Sequence, residues 1–134
     1  FFGLAGARVG FVFAAPEKLA VLREMLGPWP LAHPSRAVAR QALCDTAWQK
    51  AARHRLIAGS QRLAGMLAPL GEVGRTALFC TLHSRRTAEL ADHFARHAIL
   101  IRRFDEHGLL RFGLPGAESE WQRLHAALAA CPKG

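Results

Sequence analysis

Lysine is scarce in this chain of 134 residues: Lys18, Lys50 and Lys133 stand against fifteen arginines. Cysteine is equally thin. Cys44, Cys80 and Cys131 are odd in number and lack metal-ligand or redox spacing. That excludes a disulfide framework and reads as reduced thiols in a cytoplasmic protein. No apolar run approaches the roughly 20 residues that cross a bilayer, and no secretory leader is visible, so no membrane association is expected. The net charge of +8 is not gathered into a basic block. Only Arg85-Arg86 and Arg102-Arg103 are adjacent. Zinc-finger spacing and aromatic-interleaved RNA motifs are missing, which argues against a nucleic-acid partner. A P-loop and a Ser-His-Asp set are missing as well. So is an initiator methionine. With the abrupt apolar start, this leads to the expectation of a fragment rather than a complete gene product.

What is present suits one domain with a real core, since 51% of the residues are hydrophobic. Residues 8–15 (RVGFVFAA) are β-branched and aromatic and predict a strand. Pro16 opens a helical pattern through Leu19, Leu22 and Leu26, which Gly27-Pro28 ends. Residues 27–34 hold three prolines and predict an extended connector. Ser35 is expected to cap a helix through Cys44. A long helix is predicted over residues 46–68, with Trp48, Ala52, Leu56, Leu63 and Leu67 on or near one stripe. The remainder alternates: strand 76–82, helix 87–98, strand 99–104, a turn, strand 109–114, and a last helix with Trp121, Leu124 and Leu128 at helical spacing.

Arginines carry the candidate chemistry. Arg8 follows a turn containing Gly3 and Gly6, where the backbone can pass close to a bulky ligand and a guanidinium can grip a phosphate. In residues 109–114 (LLRFGL) the strand period places Leu110, Phe112 and Leu114 on one side and Arg111 and Gly113 on the other. That sets a charged fork beside a bare position, a place to dock a carboxylate. Of the adjacent pair Arg102 and Arg103, only one can share the face of Arg111. His93 and His97 have a metal-compatible spacing but no third ligand pattern, so they read as a solvated helix face and no metal is expected. Cys80 reads as core. Trp29 either lines a cleft or packs under the long helix.

The opening Phe1-Phe2-Gly3-Leu4-Ala5-Gly6-Ala7-Arg8-Val9-Gly10 resembles the segment after the Schiff-base lysine in fold-type-I pyridoxal-phosphate (PLP) enzymes of the class I/II aminotransferase group. Residues 99–102 resemble that group's Gly-Ile-Leu-Val-Arg segment, and residues 109–116 its late Leu-Arg strand. Gly27-Pro28-Trp29-Pro30, Asp45-Thr46-Ala47-Trp48 and the Leu-Arg-Phe-Gly-Leu-Pro-Gly ending are similar to the threonine-phosphate decarboxylase branch that serves cobalamin synthesis.

The resemblance implies an α/β fold: one strand and a connector of the PLP-binding large domain in residues 1–33, then the small C-terminal domain in residues 34–134, a long helix followed by β-α-β-β-α. It implies PLP as cofactor, with Arg8 on its phosphate. It also implies a small phosphorylated amino-acid substrate held by Arg111 at the α-carboxylate and by Arg102 at the phosphate. The Schiff-base lysine would precede Phe1, so the chain alone should be inactive. The full-length parent would be a homodimeric carboxy-lyase. A histidinol-phosphate type of aminotransferase is the alternative within the group, and a non-catalytic basic α/β binding module the alternative outside it.

Overall fold

The computed structural model describes residues 1–132, so Lys133 lies outside the described residues. The chain divides into two compact units, residues 1–50 and residues 51 onward. In the first, a single 3-10 turn, Ala5–Ala7, ends on Arg8, whose φ of 53° lies in the left-handed region. Helix α1 is Pro16–Leu26. Pro16 presets the helical φ at its first position, and Gly27, at φ 71°, ends it. Helix α2 is His33–Cys44. Asp45 closes α2 and turns the chain into the next helix, its Oδ1 accepting the Trp48 N–H at 2.9 Å. Phe2 stacks on Trp48 with ring centroids 5.7 Å apart.

No residue of this first unit is buried. The strand expected over residues 8–15 is not formed. Its side chains suit a sheet, but a strand also needs a neighbour's backbone, and none of the described residues supplies one. Phe13 is accordingly 95% exposed. Trp29 neither lines a cleft nor packs under the long helix: it is 80% exposed, its ring 6.3 Å from that of His33.

Helix α3, Thr46–Leu67, begins in the first unit and runs into the second, where it buries Ser60, Leu63 and Leu67. Strands β1 (Val73–Arg75) and β2 (Phe79–His83), helix α4 (Thr87–Arg96), strands β3 (Arg102–Phe104) and β4 (Leu109–Gly113), and helix α5 (Glu118–Ala129) follow. The sheet order is β1-β2-β4-β3 and every neighbouring pair is antiparallel. The alternation of β2 and β4 sends Cys80, Leu82, Leu110 and Phe112 to one face. There they meet Leu63 and Leu67 of α3, Leu90 and Phe94 of α4, and Trp121 and Leu124 of α5. Each such side chain contributes roughly 1.5–3 kcal/mol through burial.

β1 was not foreseen: three residues, one of them glycine, carry no readable alternation. It depends on Gly71 just before it. That residue has φ 149°, and a Cβ there would stand 2.8 Å from the His83 carbonyl oxygen. The reading of His93 as solvated is also corrected. Its ring is buried, with Nε2 2.8 Å from the Ala127 carbonyl oxygen of α5, and it lies 4.5 Å from the His97 ring. A polar ring facing a neighbouring helix found a backbone acceptor there, which helical periodicity alone does not reveal. Cys80 is core as expected, its thiol pKa raised by burial.

Candidate functional site

The sheet's second face carries no helix residue of the core, and its chemistry is set by register. Thr81 pairs with Arg111, and Arg111 pairs with Arg102. Directly opposed residues in an antiparallel sheet share a face. Arg102 and Arg111 are therefore cross-strand neighbours on one surface. Arg103 instead pairs with Leu110, whose side chain is in the core. Its guanidinium is taken by Asp105, Nε to Oδ1 at 2.8 Å, and Asp105 also accepts from the Thr87 hydroxyl at 3.3 Å. The β3–β4 turn that fixes this register closes on Gly108 at φ 57°, a left-handed position that favours glycine.

Arg111 lies over two aromatic rings, 5.2 Å from the centroid of Phe79 and 5.9 Å from that of Phe104. Arg102 lies 5.1 Å over Phe104. Neither guanidinium has a hydrogen-bond or ion-pair partner among the described residues. Three other carboxylates of this unit are engaged elsewhere. Glu118 is held by Arg62 at 2.6 Å and Glu89 by Arg86 at 2.6 Å, and each carboxyl is pushed below the usual glutamate pKa by that arginine. Glu120 accepts the Gly116 and Ala117 N–H groups, which also lower its pKa. Like charges directly opposed across strands disfavour the fold. The arrangement makes chemical sense as a docking place for an anion, with the rings fixing the two guanidinium planes.

A shallow cavity of about 570 Å3 lies over this face. Arg102 and Arg111 line it together with Leu78, Phe79, Leu100 and Gly113. The sequence pointed to both arginines and not to the rings beneath them. Phe79 and Phe104 are legible only once the register is known, because each acts through the strand beside it.

In the first unit, the Arg8 guanidinium also lacks a hydrogen-bond or ion-pair partner among the described residues, and the residue is exposed. The Ala7 and Arg8 N–H groups are used within the turn, bonded to Leu4 O at 3.0 Å and Ala5 O at 3.3 Å. The guanidinium is thus what the turn offers to a ligand. Gly3 and Gly6 would have nothing within 4 Å of an added Cβ, so that side of the turn is open. A left-handed arginine on an open glycine turn fits the phosphate end of a cofactor such as PLP. An apolar cavity of about 370 Å3 in this unit, lined by Phe1, Phe2, Leu4 and Phe11 among others, does not include Arg8 and offers no charge to an anion.

Among the described residues no helix is long and apolar enough to cross a membrane, and no three potential metal ligands cluster. Comparison with known proteins gives a family match to "Aminotransferase class I and II" over residues 1–129. A threonine-phosphate decarboxylase of Pseudomonas aeruginosa is 48% identical over 130 residues, covering 96% of this chain and 39% of that protein. A second threonine-phosphate decarboxylase, from Sinorhizobium sp, is 35% identical with the same coverage. A histidinol-phosphate aminotransferase of Burkholderia mallei is 34% identical, covering 93% of this chain and 38% of that protein. The chain thus spans about two fifths of the length of the curated relatives it matches. With helices packed on one face of an antiparallel sheet and this match over nearly its whole length, the chain belongs to the class I and II aminotransferase family.

Proposed function

We propose that the chain is the C-terminal portion of a PLP-dependent decarboxylase. Its substrate is L-threonine O-3-phosphate, and its products are CO2 and (R)-1-aminopropan-2-yl phosphate, a building block for cobalamin. Residues 1–33 belong to the large domain in this reading and residues 34–134 to the small one. The enzyme works in the cytoplasm as a homodimer. The observation that carries the proposal is the cross-strand pair of unpartnered guanidiniums, Arg102 and Arg111, lining one cavity. The substrate has two anionic ends close together, which suits two cations in adjacent register positions.

Bound PLP would supply an electron-withdrawing ring that takes up the electron pair of the bond broken at Cα. Arg8 holds the cofactor's phosphate by charge-assisted hydrogen bonds. Arg111 binds the α-carboxylate, and by orienting it chooses which bond at Cα is exposed to cleavage. Arg102 holds the substrate phosphate. Each such hydrogen bond to a charged group is worth about 1.5–3 kcal/mol. The aromatic platform keeps both guanidiniums from relaxing toward water, so less ordering remains when substrate arrives.

The 34% identity to a histidinol-phosphate aminotransferase supports a second reading, amino-group transfer with a phosphorylated substrate on the same two arginines. Incubating the full-length protein with carboxyl-labelled L-threonine O-3-phosphate separates the two. Release of labelled CO2 without a keto-acid requirement is expected. Amino transfer to 2-oxoglutarate from histidinol phosphate, with no CO2 from threonine phosphate, would replace the decarboxylase reading.

A further inference from the structure

We propose that a single tetrahedral oxyanion bridges Arg102 and Arg111, which makes free inorganic phosphate a ligand of the site and a competitor of its substrate. The inference deepens the decarboxylase reading, on which its kinetic consequence rests. Arg62, Arg86 and Arg103 each hold a carboxylate at 2.8 Å or less, whereas no described carboxylate reaches Arg102 or Arg111. These two residues are directly opposed in register, which starts their side chains about 5 Å apart on one face. Their tips then converge rather than splay, because both guanidiniums lie over the same Phe104 ring, at 5.1 and 5.9 Å.

Two like charges drawn to one ring repel each other, so a ligand that neutralises both at once is favoured over an ion that neutralises one. A guanidinium fork grips two oxygens of an anion. Phosphate and sulfate carry four oxygens in a tetrahedron, enough for two forks, and up to two charges. A carboxylate has two oxygens and one charge, so acetate serves one arginine and leaves the other unmatched. The depression over these residues is open and about 570 Å3 in volume, so a free ion reaches the pair without any movement of the fold. Selection here is by charge and oxygen count, not by fit. Phosphate seated on both guanidiniums takes the anchors of the substrate's carboxylate and of its phosphate together, so the two ligands exclude each other.

The test uses the full-length, PLP-loaded protein, with Arg8 occupied by the cofactor in the proposed reading, in mildly alkaline chloride buffer at fixed ionic strength. Calorimetric titration with sodium phosphate, sulfate and acetate reads binding without turnover. Phosphate and sulfate should bind, and acetate should bind at least about tenfold more weakly. Arg102→Gln and Arg111→Gln should each weaken phosphate about tenfold or more, because each removes a charged hydrogen-bonding partner. Should either variant fail to fold, its lysine counterpart, Arg102→Lys or Arg111→Lys, keeps the charge, loses the fork and should still weaken phosphate severalfold. In assays of CO2 release from L-threonine O-3-phosphate, phosphate should raise KM and leave kcat unchanged. Phosphate affinity untouched by substitution of either arginine would put the ion on the other alone and overturn the inference. Acetate binding as tightly as phosphate, or phosphate lowering kcat with KM unmoved, would overturn it too. Each of those results leaves decarboxylation standing. A protein that binds phosphate through both arginines and releases no CO2 would instead bring down the decarboxylase reading and leave the oxyanion site in place.

Discussion

Arg102→Gln should leave the fold nearly untouched and remove most of its response to phosphate. Two effects of the substitution oppose each other in the absence of a ligand. Relief of like-charge repulsion favours the variant: two unit charges at the generic cross-strand spacing of about 5 Å repel by roughly 0.8 kcal/mol in water. Loss of the contact over the Phe104 ring, 5.1 Å away, disfavours it by about 0.5 kcal/mol at an exposed site. They cancel within the size of either, so melting in chloride buffer should shift by no more than about 2 °C. Phosphate breaks the balance. At ten times its dissociation constant a ligand stabilises the wild type by about 1.4 kcal/mol. Loss of one charged hydrogen-bonding partner weakens binding about tenfold or more. The same phosphate then stabilises the variant by about 0.4 kcal/mol or less. The assay is thermal melting of the PLP-loaded full-length protein in chloride and in phosphate at matched ionic strength, with phosphate affinity read by titration calorimetry. In the proposed reading, filling the cofactor site first keeps Arg8 out of the measurement. Equal phosphate shifts in wild type and variant, or a variant already unfolded in chloride, would refute the reasoning.

Two further substitutions probe the backbone that supports this face. Gly71→Ala should lower stability by about 2 kcal/mol or more, read as a fall in melting temperature. The new Cβ would meet the His83 carbonyl oxygen, and the His83 N–H is itself tied to Glu72 O at 2.9 Å, so the strand has little freedom to yield. Ala98→Gly should raise stability by about 0.5 kcal/mol and the melting temperature by a degree or two. Ala98 sits at φ 56° after α4, where Ile99 N–H reaches back to Phe94 O at 2.9 Å. Glycine relieves the left-handed strain at that position and loses part of the gain through a freer unfolded chain.

Much of the fold could be read from local rules. Pro16 and Gly27 bracket α1 because proline presets a helical φ and glycine accepts the positive φ that ends a helix. The period of residues 109–113 predicted which side chains enter the core, and Leu110 and Phe112 do. The features that escaped depend on a second segment. β1 exists because β2 pairs with it, and residues 8–15 remain outside any sheet because no described strand does the same for them. His93 is buried because α5 places a carbonyl against it. The site follows the same division. Alternation alone indicated that Arg102 or Arg103 would share a face with Arg111, whereas the choice between them rests on the pairing of Arg102 with Arg111 and on the capture of Arg103 by Asp105. Alternation also indicated the bare position at Gly113 beside Arg111, whereas the aromatic platform comes from strand neighbours that no local pattern specifies.

Residues 10–15, Gly-Phe-Val-Phe-Ala-Ala, are uncharged and free of proline, with Phe11, Val12 and Phe13 open to solvent. Such a stretch is adhesive to copies of itself and attractive to chaperones. The chain brackets it with one cation, Arg8, and one proline, Pro16, the residue types that interrupt cross-β growth at its ends. Arg8 therefore interrupts the stretch with a charge at one end, and its replacement by a neutral residue should show first as lost solubility during expression.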